Sequence, residues 1–304
     1  MIVLKSKINN IDVITGENNL IRIVIAPSGG GKIVSIYNKV LQKEFLWNNK
    51  NLLFDICQQG TDYDTNFWGG IDELIPNDIP ENIDEIDYPD HGELWTTPLE
   101  YDLSNEKISV FGKLKLSELY YKKTISLKAG SPEIMLEYTI RNESNAIRHF
   151  MWKLHAALLI EEGNIIISSA RKAKSVYPEL SKYKDFHEFP WPVKGDRDVS
   201  IVPPNNNTLD FFYLYDIPLP EMQLISGRGK HQFSYTYDEK IFPFQWYFAS
   251  YGQFYNHYTA ILEPSSSMPF SVNEALVKGQ CTVLGSDQEI NTLVTIYAGK
   301  NKNI

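Results

Sequence analysis

Three side chains of this sequence have the types that move protons on a neutral molecule. Glu263 lies in His257-Tyr258-Thr259-Ala260-Ile261-Leu262-Glu263-Pro264, His91 in Asp90-His91-Gly92-Glu93-Leu94-Trp95, and His155 in Trp152-Lys153-Leu154-His155. A carboxylate and two imidazoles in one cleft can take a proton from one substrate oxygen and return it to another, with neither metal nor cofactor. Imidazole suits both directions because its ordinary pKa lies near neutrality. Each residue also has an ordinary reading, as an ion-paired glutamate or a histidine satisfied inside a core. Near His91, Gly92 would let a ligand approach closely and Trp95 would offer it a flat platform.

Strands are the elements that must position these groups. If residues 258–263 form one strand, His257, Thr259, Ile261 and Glu263 share a face. Pro264 cannot donate to a ladder, which places Glu263 near the strand's end. Around His155, the same alternation puts Met151, Lys153, His155, Ala157 and Leu159 on one side and Phe150, Trp152 and Leu154 on the other. Period-two patterning is clearest at residues 134–141, where Ile134, Leu136, Tyr138 and Ile140 alternate with Met135, Glu137, Thr139 and Arg141. Further strands are predicted at residues 20–26, 33–37, 107–116, 121–127, 164–168, 231–237, 242–249 and 292–298. Short polar breaks separate them, as hairpins and arches require. No long amphipathic helix with caps is evident, so two large packed antiparallel sheets are expected. The longest irregular stretches, residues 58–89 and 177–208, read as lids or binding loops. The second carries Phe189-Pro190-Trp191-Pro192-Val193, whose aromatics look exposed. No composition shift or internal repeat divides residues 1–304, which are read as a single domain.

Other chemistries find little support. The acidic run Asp78, Glu81, Asp84, Glu85, Asp87 and Asp90 lacks the ligand spacing of a calcium loop and reads as a solvated face. The histidines lack metal-ligand spacing, so no metal is expected. Gly29-Gly30-Gly31 opens neither a dinucleotide nor a phosphate loop, and no cofactor is expected. No Gly-x-Ser-x-Gly elbow occurs.

The 304 residues carry 38 acidic against 29 basic side chains, a formal net charge of −9. That balance argues against nucleic acid and anionic membranes as partners. The 18 Tyr, 15 Phe and 6 Trp suit a β-rich core, and a surplus near polar groups would suit sugar rings. Two cysteines, Cys57 and Cys281, make no disulfide scaffold. The first ten residues lack a signal peptide's apolar run and no segment reaches 18 apolar residues, so a cytoplasmic location is expected.

The chain resembles the aldose 1-epimerase (galactose mutarotase-like) superfamily. The resemblance is carried, in order, by Gly29-Gly30-Gly31-Lys32-Ile33-Val34-Ser35-Ile36, Phe67-Trp68-Gly69-Gly70-Ile71-Asp72-Glu73-Leu74-Ile75-Pro76, Asp90-His91-Gly92-Glu93-Leu94-Trp95, Trp152-Lys153-Leu154-His155, Ile261-Leu262-Glu263-Pro264 and the closing strand through Ala298-Gly299. It implies an all-β supersandwich with an open sugar cleft on one sheet. It makes Glu263 the counterpart of the general base, His155 that of the general acid, and His91 that of the histidine on the ring-oxygen side. The family's hydroxyl-binding aspartate corresponds to Asp216 or to Asp210. Asp72 and Glu93 adjoin the resembling motifs as further substrate-binding candidates, and Trp68, Trp95 or Trp246 would supply an apolar wall.

Departures mark a divergent branch. His91 lies in His-Gly-Glu-Leu-Trp and not His-Gly-Gly, His155 lacks a preceding Asn, Glu263 precedes Pro, and the substrate-binding arginine has no identified counterpart. What the resemblance implies is interconversion of the anomers of a free sugar, with a neutral monosaccharide ranked above a phosphorylated one. The alternatives are a carbohydrate-binding or regulatory protein of the same fold and, further off, a carbohydrate-cleaving enzyme that pairs Glu263 with Asp72, Glu73 or Glu93.

Overall fold

The computed structural model describes residues 1–104, 106–177, 180, 183 and 187–303. Alternation in the sequence becomes one-sided burial in Glu133–Asn142, where Ile134, Leu136 and Ile140 are sealed off and Glu137 meets solvent. This strand belongs to an eight-stranded sheet running Ile165–Ser168, Glu221–Ser226, His231–Thr236, Glu289–Lys300, Glu133–Asn142, Leu119–Leu127, Lys107–Lys113, Glu100–Leu103. Every neighbouring pair in it is antiparallel. A twelve-stranded sheet lies against it. At its centre, Ile71–Leu74, Lys153–Leu159, Tyr258–Ser265, Phe244–Tyr251 and Thr208–Tyr215 lie side by side, again antiparallel. The main core fills the space between, with Leu154, Ala156, Leu158 and Leu262 from the large sheet meeting Leu136, Tyr138, Val294 and Ile296 from the other. The protein is all-β; the α-helix among the described residues is the six-residue Val272–Val277. No described helix is long and apolar enough to cross a membrane.

One buried ion pair fastens the sheets together. Lys123, from Leu119–Leu127, donates to both Glu73 carboxylate oxygens at 3.0 and 2.9 Å and to the Gly31 carbonyl at 2.8 Å. Tyr138 adds a fourth hydrogen bond, to Glu73 Oε1 at 2.7 Å. Both charges are fully withdrawn from solvent, and a buried charge survives only when its polar partners are supplied in this way.

The structure departs from the sequence reading in three places. Residues 58–89 are not an irregular lid: they contain the central strand Ile71–Leu74 and the hairpin Glu81–Ile83/Ile86–Tyr88. All four residues of Ile71–Leu74 are buried, because the strand has the core on one side and covering loops on the other, so no polar alternation marks it. In 177–208, Glu188–Pro190, Val193–Lys194 and Arg197–Asp198 are short strands, while residues 178, 179, 181, 182 and 184–186 lie outside the described residues. Phe189 and Trp191 are buried in the main core and not exposed. The acidic run is only partly a solvated face. Glu81 accepts from Ser271 and Val272 at the start of the helix, Asp84 accepts from the His149 backbone and lies 2.7 Å from its Nδ1, and Asp78 points into the cavity described next.

Candidate active site

Strand register gathers the polar residues. Asp72 is opposite His155, and Glu263 is opposite Trp246. The pairings of Lys153 with Ser265 and Ala156 with Leu262 place His155 opposite Glu263. Directly opposed residues of an antiparallel pair project from the same face, so Asp72, His155, Glu263 and Trp246 form one row across four strands. The adjacent row, Ala157, Ile261, Phe248 and Phe211, is wholly apolar. A polar ridge therefore runs beside an aromatic one.

Over these ridges lies a cavity of about 330 Å³ lined by Glu263, His155, His91, Lys153, Asp78, Asp90, Asp64, Tyr63, Phe67, Phe248, Phe211, Phe254 and His257, among others. That is the size range of small-molecule sites. His257, Thr259, Ile261 and Glu263 all line it, as their shared face requires. Loops deliver the rest: His91 follows the hairpin, and Tyr63 immediately precedes the 3₁₀ turn Asp64–Asn66. His91 has φ of 57° and Gly92 of 75°. A Cβ on Gly92 would fall 2.3 Å from the Ile75 carbonyl oxygen, so this glycine admits a neighbouring chain segment, not a ligand.

The electrostatics separate the three proton-moving groups. Burial pushes the Glu263 carboxyl up to about 7, against the pull of Lys153. Burial also holds His155 well below its usual value, reinforced by the positive charges of Lys153, His91 and Lys32. For His91, burial works downward but is outweighed by Asp90, 3.0 Å from Nδ1, and by Asp78, so its value is raised. His91 is thus the proton-carrying imidazole and His155 the neutral one. Tyr63 stacks on His91 at 4.0 Å between ring centres and reaches His155 with its hydroxyl. That hydroxyl donates to Asp72 Oδ2 at 3.0 Å and stands 3.3 Å from His155 Nδ1. With the phenol proton engaged by Asp72, the Tyr63 oxygen accepts from Nδ1–H, leaving Nε2 of neutral His155 with its lone pair.

Lys153, Asp78 and Tyr63 are site residues that sequence reasoning missed. The Lys153 ammonium lies 2.9 Å from Glu263 Oε2 and 2.5 Å from Asp78 Oδ1, and 3.9 Å from the centre of the Trp246 ring. Both of these oxygens are sealed from solvent, so the second oxygen of each carboxylate is the one left for a ligand in the cavity. Burial would lower the Lys153 value, but the two carboxylates outweigh it and keep the cation. The period-two pattern already set Lys153 on the face of His155.

Other sequence candidates fall behind or away from the cavity. Asp72 is buried against Lys32 at 2.9 Å and acts through Tyr63. Glu93 is buried and accepts from the Leu116 and Ser117 backbone amides at 2.7 and 2.9 Å, which tethers a loop. Trp95 stands edge-on behind Tyr63 at 4.9 Å and is no platform for a ligand. Trp246, fully buried, underlies Lys153. Trp68 packs on Phe54, away from the site. Asp216 ends its strand on the surface, 3.5 Å from Arg171, and Asp210 alternates with the cavity-lining Leu209 and Phe211, facing the other side of the sheet. With Asp72, Glu73 and Glu93 all engaged elsewhere, none of the carboxylates named as a cleavage partner lines the cavity. No group of three His, Cys, Asp or Glu among the described residues could hold a metal ion.

No family model and no curated protein matches this sequence. Solved structures do. A galactose mutarotase-like protein from Clostridium acetobutylicum superposes with a TM-score of 0.73 over 98% of each chain, at 14% identity. A galactose mutarotase-like protein from Lactobacillus casei gives 0.67 over 94% of this chain and 99% of that one, at 16% identity. The Slr1438 protein of Synechocystis gives 0.72 over 94% and 95%, at 14%. The chain has the galactose mutarotase-like fold. Within that fold its sequence has diverged far, consistent with the altered surroundings of His91, His155 and Glu263. The galactose mutarotase-like fold fixes function only through its site, so the residues above have to carry the functional reading.

Proposed function

We propose that the protein interconverts the anomers of a free, uncharged sugar. The observation that carries this reading is the convergence of Glu263, His155 and His91 on one cavity of monosaccharide scale. Ionised Glu263 takes the proton of the anomeric hydroxyl while the His91 imidazolium protonates the ring oxygen. The bond between the anomeric carbon and the ring oxygen breaks, giving an open-chain aldehyde. Rotation about the adjacent carbon–carbon bond presents the other carbonyl face, and closure returns both protons. A base with a value near 7 is well matched to this task at neutral pH. His155, neutral and held by Tyr63, accepts a hydrogen bond from a sugar hydroxyl. Relative to the family resemblance, His91 takes over the acid role from His155.

An uncharged substrate follows from the neutralised cations. Lys153 is held between two carboxylates and His91 stands beside Asp78 and Asp90, which leaves no free positive group for a phosphate among the described lining residues. The basic clusters at Arg171-Lys172-Ala173-Lys174 and Arg228-Gly229-Lys230 do not line the cavity. Polarimetry over a panel of free hexoses and pentoses tests the reading: at least one freshly dissolved anomer should equilibrate faster than in buffer. One observation favours a second reading, binding without turnover: Lys153 already engages the Glu263 carboxylate. That reading requires saturable binding by calorimetry with every sugar equilibrating at the buffer rate.

A further inference from the structure

We propose that Lys153 is the positioning residue of this site: its ammonium joins the loop carboxylate Asp78 to the strand carboxylate Glu263 and sets Glu263 for attack on the anomeric hydroxyl. The inference rests on the anomer-exchange reading and assigns it a residue outside the acid/base set. Three contacts from three parts of the chain converge on the one nitrogen. Asp78 comes from the loop before the hairpin, Glu263 from Tyr258–Ser265, and the Trp246 ring from Phe244–Tyr251. Lys153 itself is 2% exposed, so water offers no competing shell.

An ammonium is a compact charge that need not lie in a carboxylate plane. Here it contacts one oxygen of each carboxylate, Asp78 Oδ1 and Glu263 Oε2, both sealed from solvent. The second oxygen of each carboxylate is left for sugar hydroxyls at the cavity, as a base must be. The other charged or titratable groups around the cluster, among the described residues, are His91, Asp90, Asp64 and Tyr63 from the loops, His155 on the same strand, His257 beside the Glu263 strand, and Tyr213 behind Trp246. Without Lys153, Asp78 and Glu263 would be two buried carboxylates facing one another with His91 as the remaining nearby cation, and one of them would hold a proton at neutral pH.

The test is a carbon-13 titration of the Glu263 side-chain carboxyl, assigned by its disappearance in Glu263→Gln, in wild type, Lys153→Met and Lys153→Arg. Methionine keeps the stem that packs on Trp246 and deletes the charge. The Lys153→Met midpoint should rise by about one pH unit or more, and Lys153→Arg should restore most of the shift. The acidic limb of kcat/KM for the accelerated sugar should move by the same amount. Should Lys153→Met not fold, the double variant Asp78→Asn/Lys153→Met decides by the same titration when compared with Asp78→Asn alone, since Asp78 itself raises the Glu263 value. A midpoint unmoved by removing Lys153 overturns the proposal. A midpoint that moves in a protein accelerating no sugar supports the hold of Lys153 on Glu263 and retires the anomer-exchange reading instead.

Discussion

Lys123 and Lys153 are both buried beside carboxylates, and they are built differently. Lys123 is closed: its ammonium makes three hydrogen bonds, and Glu73 receives a fourth from Tyr138. Lys153 is open: it stands within 3 Å of one oxygen of Asp78 and one of Glu263, and the second oxygen of each carboxylate has no hydrogen bond among the described residues. The first lies between the sheets, where every polar group must be satisfied by protein. The second lies at the wall of a cavity, where a ligand can complete the set. The difference separates a fastening from a working site: both are buried and ionic, but only one has unused hydrogen-bonding capacity facing a space.

The comparison breaks most sharply at the closed pair. Lys123→Met should leave Glu73 as an unpaired buried charge and cost about 3–5 kcal/mol of unfolding free energy in urea. Adding Glu73→Leu should recover most of that loss, because a matched apolar pair leaves no buried charge. By contrast, Glu263→Gln should change stability by less than about 1 kcal/mol, since Asp78 still pairs with Lys153 and the glutamine oxygen keeps the Lys153 contact. If the two sites respond alike, the distinction between them fails.

A smaller effect sharpens the open site. Exchange needs Glu263 ionised and His91 protonated, so the rate should rise as pH passes about 7 and fall again as His91 loses its proton, above the usual histidine value. Asp90→Asn removes a hydrogen bond and a charge that hold the proton on His91. The falling limb should therefore move to lower pH while the rising limb stays. A pH–rate profile of the two proteins checks this; a rising limb that moves instead would place the proton elsewhere.

Much of the scaffold was legible in the sequence because one-sided burial writes itself as alternation. Residues 134–141 show it; Tyr258–Ser265 is buried on both faces, yet the shared face of His257, Thr259, Ile261 and Glu263 still follows from its period of two. Ile71–Leu74 was not legible as a strand, since a segment covered on both faces has no polar register to display. Asp78 and Lys153 escaped for a related reason. A lone lysine and an aspartate in an acidic run ordinarily mean solvent, and only the fold brings them within 2.5 Å of each other. Glu93 and Trp95 were drawn in by their nearness to His91 in the chain. Their partners, the Leu116 and Ser117 amides and the Tyr63 ring, are remote in sequence and decide their roles. The exchange of roles between the histidines was also beyond sequence, because it depends on which imidazole meets Asp78 and Asp90 and which meets Lys153 and Lys32.

The central claim is that Glu263 removes the anomeric proton. The most direct measurement is the anomer exchange rate, by saturation-transfer NMR, of whichever sugar the wild type accelerates, repeated with Glu263→Gln. Glutamine keeps the shape and the contact with Lys153 but cannot take a proton. The account predicts a fall of about 10²–10⁴-fold with sugar binding retained. Undiminished exchange in Glu263→Gln would contradict it.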